Sequence, residues 1–374
     1  MRTIGIYQSL GGLDYFMPHP LPPKDPPLTF DAAIMVLYGE ASFALGQLNE
    51  MSQRLPDINR FIKAYVIKEA LLSSAIEGIH TTFIDVLTHS LNPSQPDKNV
   101  QLVLNYTKAL DKALTMLTKE GFPLATRVIL AAHRLLLSNG EGDKAAPGCY
   151  RKQAVQVGSL IPPIASEVPN LMAALEAYIH EVDGIPALIK AGLVHVQFEM
   201  IHPFLDGNGR IGRLLIVLML MDQDLLHLPI LYPSYYFKKY HLDYYQKLDR
   251  VRTAGDFEGW MVFYLKAIRD SARDGYTRAK AIEQLEISLQ KTIQQDARFV
   301  KIRETAATVL NFLFIQPITT IVEMSQATDK AYNTISNIFK PFVALGILVE
   351  ETVYKRNKIY RFQPYLTLLE KEYV

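Results

Sequence analysis

The sequence predicts a mainly α-helical protein: an N-terminal helical extension, a helical core carrying one β-hairpin, and a C-terminal unit of helices followed by two strands. Three observations carry this. Apolar residues recur at the spacing of one helical face through most of the chain. The interruptions are short and rich in turn formers, as at 92–99. Near the middle, a polar stretch at 202–213 separates two apolar runs, 191–200 and 214–221, which reads as helix, short loop, helix.

The totals agree with a globular chain. With 374 residues, 49% hydrophobic and 21% charged, there is ample sequence for one large domain or several smaller ones. A net charge of +1 excludes bulk attraction to nucleic acid or to a membrane surface, so any basic patch must be local. The single Cys149 excludes an intrachain disulfide framework and suits a reducing compartment. Residues 1–10 lack the basic start and apolar core of a signal peptide. No apolar run reaches the ~18 residues that would suggest a membrane span. The expectation is a soluble, cytoplasmic protein without a membrane partner.

Taken in order, Pro18, Pro20, Pro22, Pro23, Pro26 and Pro27 predict an extended arm lying on the body. Residues 30–91 read as helical, with Asp31 as a cap and a further helix from about 59 that ends at Gly78. Glu77 falls in the last turn, where the helix dipole disfavours a carboxylate, so a compensating partner is expected. After the polar loop come helices at 102–117 and 126–137. Alternation through Gln153, Val155 and Val157, with Gly158 after it, predicts a short β-hairpin. Pro162, Pro163 and Pro169 make a rigid connection to helices at 170–182 and 188–200. Tyr244 and Tyr245 form an aromatic pair, and 256–269 reads as the last core helix. A charged connector at 271–297 leads to a helix, a helix at 322–326 and a helix at 330–345 capped by Thr328. Strands at 347–354 and 358–362 close the pattern of a winged helix-turn-helix. Its basic residues are few: Lys330 and Lys340 on the third helix, with Lys355, Arg356, Lys358 and Arg361 at the wing. DNA is therefore a weaker expectation than a protein partner for this unit.

The chemistry concentrates in 202–213, His-Pro-Phe-Leu-Asp-Gly-Asn-Gly-Arg-Ile-Gly-Arg. Pro203 discourages a helical His202, so the first helix ends there. Gly207, Asn208 and Gly209 open the second helix, and glycines before a helix N-terminus make an anion nest. Arg210 and Arg213 share a face and suit neighbouring phosphates. Asp206 suits a magnesium ion bridging them. His202 is the one group there that takes up a proton near neutral pH. His195, Glu199 and His202 also form an H-x3-E-x2-H pattern, but this is not the HExxH spacing, and two arginines favour phosphate over zinc.

These twelve residues match the HPFx-D/E-GNGRxxR signature of Fic-domain proteins at every defined position, and the resemblance implies transfer of AMP from ATP to a protein hydroxyl. On that likeness His202 is the general base, Asp206 the Mg²⁺ ligand, and Gly207, Asn208 and Gly209 the hole around the α- and β-phosphates. Arg210 resembles the β-phosphate contact and Arg213 the γ-phosphate contact, with Ile211 and Gly212 in the same ATP-binding run. Family members that act as kinases carry lysine where this chain has Gly209. Ser73-x-x-x-Glu77-Gly78 resembles the family's inhibitory motif, whose glutamate pairs with the arginine equivalent to Arg213. Val155, Gln156, Val157 and Gly158 resemble the flap that holds a target segment, and Tyr244 and Tyr245 the aromatics lining the adenine pocket. Arg252 departs from the asparagine of some relatives.

The likeness covers about 100–270 for the core and about 20–95 for the extension. It implies units at 1–98, 99–270, 271–300 and 301–374, with ATP, Mg²⁺, a target protein bearing a Ser, Thr or Tyr hydroxyl, and a homodimer as partners. The rival readings are a DNA-binding regulator that senses nucleotide, and the same site removing AMP.

Overall fold

The computed structural model describes residues 2–54, 58–89, 97–138, 145–351 and 358–371. The chain opens with a β-hairpin that the sequence reading did not foresee, β1 (Gly5–Leu10) paired antiparallel with β2 (Leu13–Pro18) around Gly11 and Gly12, both at positive φ. Ile6, Tyr7, Leu10 and Leu13 stay exposed on it, so the inside–outside alternation that marks a half-buried strand is missing. The proline-rich segment then runs over the body as an arm. Arg2 pins it, donating to the carbonyls of Pro26 at 2.6 Å and Pro27 at 2.7 Å and to Glu258 at 2.8 and 2.9 Å.

Glu258 gives this anchor a pH signature. Burial raises its pKa, but the Arg2 guanidinium and the Thr29 amide overcome that and hold it near 2, against an ordinary 4.5. A depressed carboxyl pKa contributes stability that is complete above 4.5 and fades as pH falls toward 2. Arg2→Ala is therefore expected to flatten the acid limb of melting temperature against pH across that window. An unchanged limb would mean the contact carries no stability.

The helical body follows. Helix α1 (Ala32–Arg54), started by Asp31 accepting from the Ile34 amide at 2.8 Å, lies along the long α11 (Phe257–Gln295). Helix α2 (Ile58–Ile76) ends before Gly78, whose φ of 77° suits a left-handed stop. A capping box of Thr82 and Asp85 begins α3 (Phe83–Thr88), and Asp97 caps α4 (Lys98–Thr118), which packs on α5 (Thr126–Leu136). Of the loop expected at 92–99, residues 92–96 lie outside the described residues, as does Gly140.

Helix α6 (Val168–His180) flanks the central pair, α7 (Ala187–Ile201) and α8 (Asn208–Asp222). Every residue from 188 to 198 is buried, so α7 has no solvent face and no amphipathic period. Gly192 is needed there: a Cβ would lie 2.7 Å from the Tyr264 ring, while its carbonyl accepts from the Trp260 indole at 2.8 Å. Each such fully buried large side chain contributes about 1.5–3 kcal/mol relative to exposure. Short α9 (Ser234–Lys239) and α10 (His241–Ala254) complete the wall around the pair.

One expected helix end differs. The helix expected to stop at 269 continues as α11 to Gln295, so the expected break between 270 and 271 falls inside one element. No proline interrupts it, and Gly275 is tolerated because Leu48 and Tyr65 pack closely against it. The C-terminal unit comprises α12 (Arg303–Ile315), β3 (Ile318–Thr320), α13 (Ile321–Thr328), α14 (Tyr332–Ala344), β4 (Leu348–Glu351), β5 (Ile359–Phe362) and α15 (Gln363–Glu370). The sheet order is β3-β5-β4, antiparallel throughout. Strand β3 and helix α15 were not expected.

Thr328 does not cap the third helix. It ends α13, and its hydroxyl donates back to the Met324 carbonyl at 2.6 Å, while Ala331 precedes α14 without a side-chain cap. Of the wing's basic residues, Lys358 pairs with Glu350 and Arg361 with Glu351, both at 2.6 Å. Lys355 and Arg356 lie outside the described residues. Among the described residues no helix is long and apolar enough to cross a membrane.

Candidate active site

Helix α7 stops where Pro203 follows it. His202 takes a left-handed conformation, φ 47°, which is uncommon for a side chain of this size. Buried Arg151 holds that turn: its Nε donates to the His202 carbonyl at 2.8 Å, its Nη2 to Pro163 at 2.6 Å, and its amide to Pro203 at 2.9 Å. The far side of the loop is held by His133, stacked on Phe204 at 3.7 Å. His133 Nδ1 accepts from the Gly148 amide at 2.9 Å, which leaves Nε2 protonated to donate to the Asp206 carbonyl at 3.0 Å.

Gly207, φ 79°, turns the chain into α8. The Asn208 side chain faces backwards, accepting from the Phe204 amide and donating to the Phe204 carbonyl, both at 2.9 Å. It therefore braces the loop, and the part of the nest open to an anion is backbone at the helix start. Asn208→Ala removes two buried hydrogen bonds and is expected to lower stability by about 1–3 kcal/mol. Thermal melting checks this; a variant as stable as the parent would show the brace is redundant.

The charges are arranged around Arg213, which is buried. Its Nε donates to Ser73 Oγ and its Nη2 to the Ser73 carbonyl, both at 2.9 Å, and Nη2 meets Glu77 Oε1 at 2.6 Å. Glu69 and Ser73 lie one turn apart on one face of α2, and the turn just past its end carries Glu77 to the same guanidinium. Burial pushes the carboxyls of Glu69 and Glu199 up to about 7. Burial raises Glu77 too, but the charge and hydrogen bond of Arg213 outweigh it and hold Glu77 below the usual carboxylate value. Of these three, Glu77 is thus the fully ionised partner at neutral pH. Its carboxylate also lies on the nest, since a Cβ added to Gly209 would overlap Glu77 Oε1.

His202 is pushed the other way. Burial first, then the Arg151 guanidinium, bring its pKa down to about 4, so the imidazole is neutral near pH 7 and free to accept a proton. Its Nδ1 is buried without a hydrogen-bond partner. Asp206 accepts from the Gly207 amide at 2.6 Å and pairs with Arg210 at 3.4 Å, while half of its side chain remains exposed. One accessible carboxylate beside an anion nest fits a magnesium ion that takes its other oxygens from phosphate and water. Among the described residues no group of three or more metal-binding side chains occurs. His195 is core, bonded to the Gly212 carbonyl and the Tyr244 hydroxyl, both at 2.9 Å, so the zinc pattern is not a ligand set.

His202, Asp206, Gly207, Gly209, Arg210, Arg213, Ser73 and Glu77 thus meet at one place. Other expected contacts do not. Ile211 is fully buried in the core, and Gly212 packs against Glu199 and Phe198 on the inner side of α8. Tyr244 is sealed among Phe237, His195 and Trp260, leaving Tyr245, 46% exposed, as the accessible ring of the pair. The expected hairpin at 152–157 is not formed. Val157 and Leu160 alone bridge, around a turn with Gly158 at φ 57°, while Gln156, Val157 and Gly158 are exposed and Val155 is partly so. Alternating residues make a strand only where a second strand offers hydrogen bonds, and among the described residues no strand pairs with 152–157. Arg252 braces this turn instead, donating to Ser159 Oγ at 3.1 Å and to the Tyr7 hydroxyl at 2.7 Å.

Residues 123–220 match the Fic/DOC family and residues 35–115 the Fic/DOC family N-terminal region, so the chain is a Fic-domain protein. Among its relatives, "Protein adenylyltransferase Fic" of Culex quinquefasciatus is 30% identical over 151 residues, 40% of this chain and 28% of that one. A "probable protein adenylyltransferase" of Aquifex aeolicus is 36% identical over 173 residues, 46% of this chain and 52% of that one. The matched segments thus span at most about half the length of these two relatives. In fold the chain resembles a crystal structure of a Fic family protein from Desulfovibrio desulfuricans, with a TM-score of 0.57 at 22% identity, covering 90% of this chain and 97% of that one. It also resembles Fic-1 of C. elegans, with a TM-score of 0.54 at 18% identity, covering 67% of this chain and 74% of that one.

Proposed function

We propose that this chain is a protein adenylyltransferase that transfers AMP from ATP to a Ser, Thr or Tyr hydroxyl of a target protein and of itself, held in check by its own Glu77. The observation that carries the reading is the neutral, half-buried imidazole of His202 beside the helix start that Gly207 and Gly209 keep free of side-chain bulk. The relatives named above as adenylyltransferases support it.

In this reading His202 takes the proton of the target hydroxyl. The hydroxyl oxygen then bonds to the α-phosphorus, the bond from that phosphorus to the bridging oxygen breaks, and pyrophosphate leaves with its electron pair. Gly209, in place of a lysine, leaves space for the β-phosphate beside the nest. Arg210 and Arg213 carry the outer phosphates' charge. Asp206 would hold Mg²⁺, which neutralises charge on the phosphates. Arg151 and His133 hold the loop and do not touch the reacting atoms. Tyr245 offers a ring to the adenine, and the turn at Val157–Leu160 offers backbone to an extended target segment.

Mass spectrometry of the purified chain after incubation with ATP and Mg²⁺ tests this directly. An AMP adduct on Glu77→Gly protein is the expected result. Absence of the adduct from both wild type and that variant, with no transfer to any added protein, would refute the reading.

A further inference from the structure

A second cavity lies on the neighbouring face of α2. It has a volume of about 430 Å³, within the range of ~300–1,000 Å³ typical of small-molecule sites. Four parts of the chain line it: α2, the start of α3, α9 and α15. Leu72 and Phe83 give an apolar floor, Tyr235 an aromatic side, and Lys68, Lys238 and Lys239 the positive charge. Lys371 adds a fourth ammonium, against the single carboxylate of Glu370.

Hydrogen bonds cross-link the frame around it. Lys68 donates to the Leu369 carbonyl at 3.1 Å, joining α2 to the C-terminal helix. Arg278 of α11, itself buried, donates to the carbonyls of Leu368 and of Lys371, the latter at 2.9 Å, and so fixes the end of α15 beside the opening. Four lysines around an apolar hollow give it a positive potential that attracts a counter-anion.

We propose that this cavity binds a small organic anion with an apolar body, a carboxylate or a phosphate monoester. The body lies on Leu72, Phe83 and Tyr235, and the anionic head meets Lys238, Lys239 and Lys371. The bound anion ties α9 and α15 to α2, the helix whose neighbouring face presents Ser73 and whose end leads into Glu77. This inference does not rest on the proposed AMP transfer.

Calorimetric titration of the full chain with octanoate, phenyl phosphate and inorganic phosphate tests it. At least one amphipathic probe should bind below millimolar, and the Lys238→Glu, Lys239→Glu double variant should lose roughly tenfold or more in affinity. Lys238→Ser, Lys239→Ser serves the same comparison if charge reversal disturbs folding. Hydrogen exchange of α2 amides should slow with the bound probe in wild type and not in the variant. Which of octanoate and phenyl phosphate binds tighter separates the two head groups. No binding of either at millimolar concentration, equal binding by wild type and variants, or inorganic phosphate binding as tightly as phenyl phosphate would overturn the proposal.

Discussion

His202→Ala is expected to lower AMP transfer by roughly 10²–10⁴-fold, the usual contribution of a positioned general base. The imidazole is available as a proton acceptor, because burial and Arg151 keep its pKa near 4 and so leave it unprotonated throughout the neutral range. The loop should survive its loss. Arg151 holds residue 202 through the backbone carbonyl, and Asn208 holds the next turn. Nucleotide affinity should therefore change little while turnover collapses, and labelled-ATP incorporation together with nucleotide titration separates the two. A variant that kept its full rate would remove His202 from the chemistry.

Glu77→Gly is expected to raise AMP transfer, by roughly 10–100-fold if the charge-assisted contact to Arg213 is worth about 1.5–3 kcal/mol. The side chain contends for two things at once: the Arg213 guanidinium at 2.6 Å and the space over Gly209. Removing it frees both, while Ser73 still holds Arg213 through its hydroxyl and carbonyl. The buried arginine therefore keeps partners, and the gain should not be offset by collapse of the site. Incorporation by this variant no faster than by wild type would exclude Glu77 as the restraint.

The sequence disclosed the parts of this site that are contiguous. Residues 202–213 carry their chemistry within one turn between two helices, so residue type and spacing suffice. That Glu77 wants a partner was legible from its place at a helix end, but Arg213 as that partner came only from the resemblance of Ser73-x-x-x-Glu77-Gly78 to the family's motif. The residues that hold the site in shape were not legible. Arg151 meets His202 across 51 positions, His133 meets Asp206 across 73, and Glu69 meets Ser234 across 165. Buried Glu69 and Glu199 lie on helices whose local pattern says nothing of Arg213. The errors share a physical cause. Val155 and its neighbours alternate without a partner strand, while β1 has a partner but leaves its apolar residues in solvent. Tyr244 and Tyr245 are adjacent in a helix and point about 100° apart, and packing seals the first in the core while the second faces outward.

Helix α11 carries one more implication. Its 39 residues make a rod about 58 Å long at the ordinary rise per residue, rooted beside Trp260 and reaching the last unit of the chain. A stiff beam, unlike a tether, fixes bearing as well as distance. The last unit is thus held at one set angle to the 202–213 loop, and lengthening the beam by a single residue would turn its far end by roughly 100°.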